Sequence, residues 1–324
     1  MDLLEGCPFD CSYCILQAYL PSKKLRPFAC SEERVHHWLT EASSQNPFLR
    51  LGTGELADSL AFEAEFSLTD MLLRVIPAHP DVVLEWKTKS IRIETFLRKP
   101  HLPSNIVLSW SLNPEEIIAT EEHGTPTLRE RLHAMRRVAD SGAHLGIHLD
   151  PVILTPQWRS RYERLIRTIR STLGANAPLA WISLGSLRYP PSLRPILLNR
   201  PPSALFYAEQ QRDRGGKYRY HPELRIQAYR HIVSCLGSLM EQHAPLYLCM
   251  EQKEIWEEVF PGTPPAPEEI NEQLHRSATR FSTEGEKTVE IKGRPTPPSG
   301  LSPGWKTGST ASQEIRPDPS AGRP

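Results

Sequence analysis

The stretch Gly6-Cys7-Pro8-Phe9-Asp10-Cys11-Ser12-Tyr13-Cys14 decides how this chain is read. Its C-x3-C-x2-C spacing packs three thiolates into one tight loop. A 4Fe-4S cluster ordinarily takes four cysteine ligands, so three leave one iron open to an outside ligand. Structural zinc is the competing reading, with Cys30, His36 or His37 completing a closed tetrahedron. Zinc ribbons, however, usually present two paired Cys knuckles, and the chain carries no second pair.

Composition narrows the setting. Six cysteines in 324 residues, with no secretory signal and no apolar stretch long enough to span a bilayer, point to a reducing, cytoplasmic protein without a disulfide framework. The isolated Cys30, Cys235 and Cys249 read as small buried hydrophobes. Lys plus Arg equals Asp plus Glu at 38 each, so global charge gives no argument for nucleic acid. Any such claim rests on local groups: Arg159 to Tyr162, Arg188-Tyr189, and the run from Arg212 to Tyr220.

Outward from the cysteine loop, short apolar runs alternate with amphipathic ones. Phe48 to Leu51, Val82 to Trp86, Ile106 to Trp110, Leu145 to Leu149 and Leu179 to Leu184 read as buried parallel strands. Glu32 to Ala42, Leu68 to Ile76, Leu128 to Ser141 and Trp158 to Leu173 carry apolar residues at three- and four-residue spacing and read as helices. Ser31 fits an N-cap, and Thr127 with Glu130 fits a capping box. Strand-then-helix order predicts an α/β fold, a partial (β/α)6 barrel with its functional groups at the C-terminal ends of the strands. Met1 to Gly6 supply only part of a first strand, so the barrel is N-terminally short. From Pro261 onward Pro, Gly and Ser accumulate, which predicts a domain over 1–260 and a largely disordered tail over 261–324, with a short helix near Glu268 to Thr283.

The strand ends carry polar groups where the barrel rule wants them. They are Gly52-Thr53-Gly54-Glu55, then Lys87-Thr88-Lys89, then Ser111-Leu112-Asn113-Pro114, then His148-Leu149-Asp150. His148 reads as a hydrogen-bonded strand histidine without a catalytic role.

The cysteine loop followed by Gly52 to Glu55 resembles the radical S-adenosylmethionine (SAM) enzymes. With Ser111 to Glu115, Gly124-Thr125-Pro126 and Gly142 to Gly146, the chain resembles the spore photoproduct lyase family from about Glu5 to about Tyr229. The resemblance implies a 4Fe-4S cluster on Cys7, Cys11 and Cys14. It implies SAM contacts from Glu55, Lys89 and Ser111, with Tyr13 against the adenine. The implied activity is reductive cleavage of SAM to a 5'-deoxyadenosyl radical, which repairs the thymine dimer of UV-irradiated spore DNA. An electron donor such as flavodoxin or ferredoxin is implied as a partner. Arg188, Arg212, Lys217 and Tyr218 are the candidates for holding DNA and filling the gap left by an extruded lesion.

Two departures accompany the match. Family members place a hydrogen-donating cysteine where Gly52 stands, which leaves Cys235, Cys249 or another quencher for that role. Asp213 stands where the lesion-entering segment has an aromatic. Two alternatives follow: a radical SAM enzyme with a different substrate, and a non-catalytic metal-binding protein.

Overall fold

The computed structural model describes residues 3–279, apart from Pro21, Lys23, Ala29, Ala175, Pro202, residues 241–243, Pro261, Thr263 and Pro264. Six parallel strands form its main sheet: β1 (Leu49–Gly52), β2 (Val82–Thr88), β3 (Ile106–Ser111), β4 (His144–Val152), β5 (Leu179–Ser186) and β6 (Leu246–Leu248). Their spatial order is their sequence order. A sheet that grows in one direction by right-handed crossovers stacks its helices on one face and curls, so the result is a parallel half-barrel. The five predicted strands are all present. The sixth comes from the C-terminal side, at β6, whereas the start of the chain contributes Leu4–Glu5, paired antiparallel with Arg26–Pro27, and a single parallel bridge from Gly6 to Ala57.

Strands β2 and β3 are almost wholly buried: Val, Leu, Ile and Trp fill the face under the helices, and polar Glu85, Lys87, Ser109 and Ser111 share the other face with Val83 and Val107. The outer layer consists of α1 (Glu32–Gln45), α2 (Leu68–Val75), α3 (Glu115–Glu121), α4 (Leu128–Asp140), α5 (Trp158–Leu173), α6 (Pro222–Met240) and α7 (Pro267–Thr279), joined by shorter turns. The predicted caps are in place. Ser31 accepts from the Arg34 N–H, and Thr127 and Glu130 form the reciprocal box that starts α4. Helix α5 buries Tyr162, Leu165, Ile166, Ile169 and Leu173 on one stripe. Each such side chain contributes about 1.5–3 kcal/mol by leaving water.

The packed body passes the expected boundary at residue 260. Helix α7 buries Ile270, Leu274 and Ala278, and His275 Nε2 lies 3.0 Å from the Asp81 carbonyl oxygen, before β2. The expected disorder from residue 280 onward lies outside the described residues. No helix among the described residues is long and apolar enough to cross a membrane.

Candidate active site at the barrel mouth

Side chains alternate along a strand, so each strand sends every second residue into the curl. The inner positions are Arg50 and Gly52 on β1, Glu85 and Lys87 on β2, Ser109 and Ser111 on β3, and Gly146, His148 and Asp150 on β4. Trp181, Ser183 and Gly185 follow on β5, then Tyr247 on β6 with Cys249 just past it. This interior is polar and internally paired. Arg50 donates to Glu85 at 2.7 Å, His148 Nε2 lies 2.7 Å from the other Glu85 oxygen, and the Arg50 guanidinium sits 5.1 Å from the Trp181 ring centre. Burial opposes ionisation of Glu85, yet His148 and Arg50 hold its carboxyl well below the usual carboxylate range. Burial and then Lys87 push His148 down, which keeps the imidazole neutral. His148 is thus a paired strand histidine, as its sequence context predicts.

One layer higher, Arg188 grips Asp150 with two parallel bonds of 2.7 and 2.9 Å, and its Nη2 lies 3.3 Å from Cys249 Sγ. Gly185 makes this possible, since a Cβ there would stand 2.8 Å from Asp150 Oδ1 and 2.9 Å from Arg188 Nη1. Arg188, a sequence candidate for holding DNA, thus has its fork on a buried carboxylate. This placement corrects the reading of Cys249 as an inert hydrophobe. The thiol sits among Asp150, Arg188 and Lys87, and burial first, then Asp150, raise its pKa and keep it an S–H group.

The cysteine loop crosses the same end of the barrel. Asp10–Cys11 pair antiparallel with Glu122–His123, and the Ser12 N–H donates to the Glu121 carbonyl at 2.7 Å. Gln17 Nε2 donates to the carbonyls of Cys11, at 2.9 Å, and Ser12, at 2.8 Å, folding the loop back over its own helix. Arg200 binds Asp10 Oδ2 at 2.6 Å and also reaches Gln17 Oε1. Burial and then Asp58 push the Cys7 thiol up to about 12. Burial likewise raises Cys11, and Lys89 acts against both shifts.

Under the loop lies a buried network in which Glu122 is the hub. Its carboxylate takes the Tyr13 hydroxyl, Asn113 Nδ2 at 2.9 Å and Arg131 Nη2 at 2.6 Å, and both side chains of the Glu122–Arg131 pair are 0% exposed. Burial opposes the charge on Glu122, but Lys89 and then Arg131 hold its pKa low. Tyr13 is therefore fixed by its hydroxyl on Glu122. Lys89 sits 5.7 Å from the Tyr13 ring centre, and although burial opposes its charge, Glu122 and Cys11 raise its pKa. Ser111 is buried at the end of β3, where its carbonyl accepts from Arg131 at 3.0 Å.

Glu55 is exposed in the loop after β1. That loop is held by Asp58, whose carboxylate accepts from the N–H groups of Leu60, Ala61 and Lys89 and from the Thr88 hydroxyl. Gly54 is required by close approach, because a Cβ would stand 2.9 Å from the Ala57 carbonyl and closer still to Ser59 Oγ. Gly52 is the opposite case, with nothing within 4 Å of an added Cβ.

The remaining candidates lie on a hairpin of Gln210–Arg212 and Tyr218–Tyr220. Arg212 is exposed, and Tyr218 stacks on Tyr189 at 5.5 Å with the Arg194 guanidinium 4.5 Å from its ring centre. Burial, Arg188 and Arg219 lower the Lys217 pKa. Asp213 is a turn residue: it accepts from the Lys217 N–H at 2.9 Å and pairs with Arg219 at 2.6 Å.

Sequence reasoning missed Gln17, Asp58, Glu122, Arg131 and Arg200. Arg131 left a signal, standing on the stripe of α4 that otherwise buries Leu128, Leu132, Met135 and Val138. A cavity of about 420 Å³, lined by Pro77, Pro80, His101 and Pro103 among others, lies at the opposite, N-terminal end of β2 and β3. It holds none of this chemistry.

The loop fits a multi-iron cluster better than one ion. Among the described residues, the ligating trio with all donor atoms within 4.8 Å of one another is Glu163, His231 and Cys235, so at least one pair of the loop sulfurs stands wider than that. Two sulfurs on one zinc, with bonds of about 2.3 Å, cannot exceed about 4.6 Å.

Residues 1–246 match the sequence profile of the spore photoproduct lyase family. The chain is 22% identical over 179 residues to the spore photoproduct lyase of Clostridium acetobutylicum, covering 54% of this chain and 52% of that protein. It is 26% identical over 175 residues to that of Bacillus subtilis, covering 52% and 49%. The chain thus spans about half the length of the curated relatives it matches. Among solved structures, a spore photoproduct lyase mutant with bound AdoMet and dinucleoside spore photoproduct superposes with a TM-score of 0.67 at 20% identity, covering 76% of this chain and 74% of that one. Another, a lyase complexed with the dinucleoside photoproduct, gives 0.67 at 21% identity. With the profile covering most of the chain, this protein belongs to the spore photoproduct lyase family.

Proposed function

We propose that the protein is a radical SAM lyase that repairs the UV-induced spore thymine dimer in DNA, using a 4Fe-4S cluster held by Cys7, Cys11 and Cys14. The observation that carries this reading is the three-cysteine loop, braced across the C-terminal mouth of the half-barrel beside Lys89. When bound, the cluster and SAM supply a 5'-deoxyadenosyl radical. The chain's own residues bind and shield. Lys89 presents a cation beside the loop, suited to the SAM carboxylate, and Glu55 and Ser111 flank the same mouth for its amino group and ribose.

Gly52 cannot return a hydrogen atom, and the two distant cysteines are not equivalent. Cys235 is on the outer face of α6, while Cys249 is in the barrel interior beside Arg188 and Lys87. In the proposed step the Cys249 S–H bond breaks homolytically as a C–H bond forms on the fragmented dimer. The resulting thiyl radical is restored by one electron from the external donor, of flavodoxin or ferredoxin type, and one proton from solvent. Arg212, Lys217 and Tyr218 on the hairpin would meet the DNA, and the setting is cytoplasmic.

A second reading, a different substrate, is favoured by Gly52 and by the commitment of Asp213 to the turn. The deciding experiment is anaerobic. Cluster-reconstituted, reduced protein is given SAM with and without dimer-containing DNA, and 5'-deoxyadenosine and dimer are measured. Dimer loss upholds the lyase, and deoxyadenosine without dimer loss selects the second reading. Absence of cluster-dependent SAM cleavage sinks both.

A further inference from the structure

The outer face of the α5–α6 pair carries a group that the barrel chemistry leaves unused. Glu163 on α5 and His231 and Cys235, one turn apart on α6, bring a carboxylate oxygen, an imidazole nitrogen and a thiol within 4.8 Å of one another. His231 Nε2 lies 3.3 Å from Glu163 Oε1 and 3.8 Å from Cys235 Sγ. The Arg159 carbonyl oxygen is 3.2 Å from the same nitrogen. With Zn–N and Zn–O bonds near 2.0–2.1 Å and Zn–S near 2.3 Å, a tetrahedral site has N–O edges of about 3.3 Å and N–S edges of about 3.6 Å. The two edges that meet at His231 Nε2 are already close to those lengths.

The surroundings suit a metal as well. Trp158 packs edge-on against the His231 ring at 5.3 Å, which restrains the imidazole. The His231 side chain is 19% exposed and that of Glu163 44%, so an ion can enter from solvent. One thiolate, one imidazole and one carboxylate form a borderline donor set of the kind that prefers zinc. A divalent ion bound here would release protons, because its ligands must be deprotonated.

We propose that Glu163, His231 and Cys235 bind Zn²⁺, with water in the fourth position, as a staple between α5 and α6. The staple would act on the C-terminal edge of the barrel. Helix α6 carries the chain from the hairpin towards β6, and its Arg225 and Tyr229 hold Glu251, two residues past Cys249.

The loop cysteines also bind metals, so the test removes them. The Cys7→Ala, Cys11→Ala, Cys14→Ala protein is titrated with Co²⁺ and followed by absorption. The expected result is a thiolate-to-cobalt charge-transfer band saturating at one equivalent and bleached by Zn²⁺. It should be lost in Cys235→Ser and in His231→Ala, with circular dichroism unchanged. In parallel, wild-type protein carrying a reconstituted cluster should retain one zinc per chain after dialysis, and its His231→Ala variant none. No cobalt band, a band that survives both substitutions, or equal zinc in wild type and His231→Ala would overturn the proposal. These readouts are independent of SAM cleavage and of dimer repair.

Discussion

Replacing Arg131 with Met tests whether the buried Glu122 hub holds the cysteine loop. The substitution keeps most of the side-chain volume but removes four links: to the Pro126 carbonyl at 2.9 Å, the Ser111 carbonyl at 3.0 Å, the Thr125 hydroxyl at 2.6 Å and the Glu122 carboxylate at 2.6 Å. Breaking a buried ion pair by removing one partner strands the other charge, at a cost of about 3–5 kcal/mol. Lys89 remains beside Glu122, so the lower half of that range is expected. In domains of 150–250 residues each kcal/mol moves Tm by roughly 2–4 °C, so a fall of roughly 10 °C should appear in thermal denaturation of the cluster-free protein. The pH dependence supplies a second readout. Glu122 has a depressed folded pKa, so its stabilising contribution is present above the unfolded carboxylate value, about 4.3, and is lost as pH falls through the folded value. Near neutral pH the variant should lose most, and towards pH 4 the gap to wild type should narrow. The double variant Arg131→Met, Glu122→Gln should lose less than the sum of the single losses. A change under about 1 kcal/mol, or a gap that widens on acidification, would refute the reasoning.

Cys11→Ala should abolish cluster incorporation, read by iron content and visible absorption, and with it all SAM cleavage. Gly54→Ala should cost about 1–3 kcal/mol of stability, because the new methyl meets the Ala57 carbonyl and Ser59, and urea denaturation reads the loss. Arg212→Ala and Lys217→Ala should each weaken DNA binding and shallow the salt dependence of log K by about one, a shift visible in titrations across salt concentrations. Cys249→Ala should leave deoxyadenosine formation intact while dimer repair falls. Adding Gly52→Cys in that background, where the thiol has open space, should restore repair, and unchanged repair in the single variant would remove Cys249 from the reaction.

Much of the barrel was legible because parallel strands buried on both faces read as uninterrupted apolar runs, and the crossover helices follow the ordinary amphipathic period. Trp158–Leu173 matched to the residue, and the Thr127 box fixed the start of α4. The sixth strand escaped because Leu246–Leu248 is three residues long, too short to show a period. At the site, the cysteine spacing spoke for itself, since its chemistry is local in sequence. The Glu122–Arg131 and Asp150–Arg188 pairs did not, because a charged residue reads as surface until its partner, brought by another element, is known. Arg188 read as a surface cation for that reason. The partner of the Tyr13 hydroxyl was equally hidden, since Glu122 lies 109 residues away.

The bracing of the cysteine loop bears on how the protein is made. The loop leaves the ribosome well before its struts: Glu122 pairs with Cys11, and Arg200 reaches back 190 residues to Asp10. At synthesis rates of about 5–20 residues per second, the thiols wait roughly 10–40 s before that strut exists. Throughout that interval the three cysteines are an unsupported peptide, open to oxidation or to the wrong metal. The proposed cluster would therefore meet a braced loop only after Arg200 has been made and folded against Asp10.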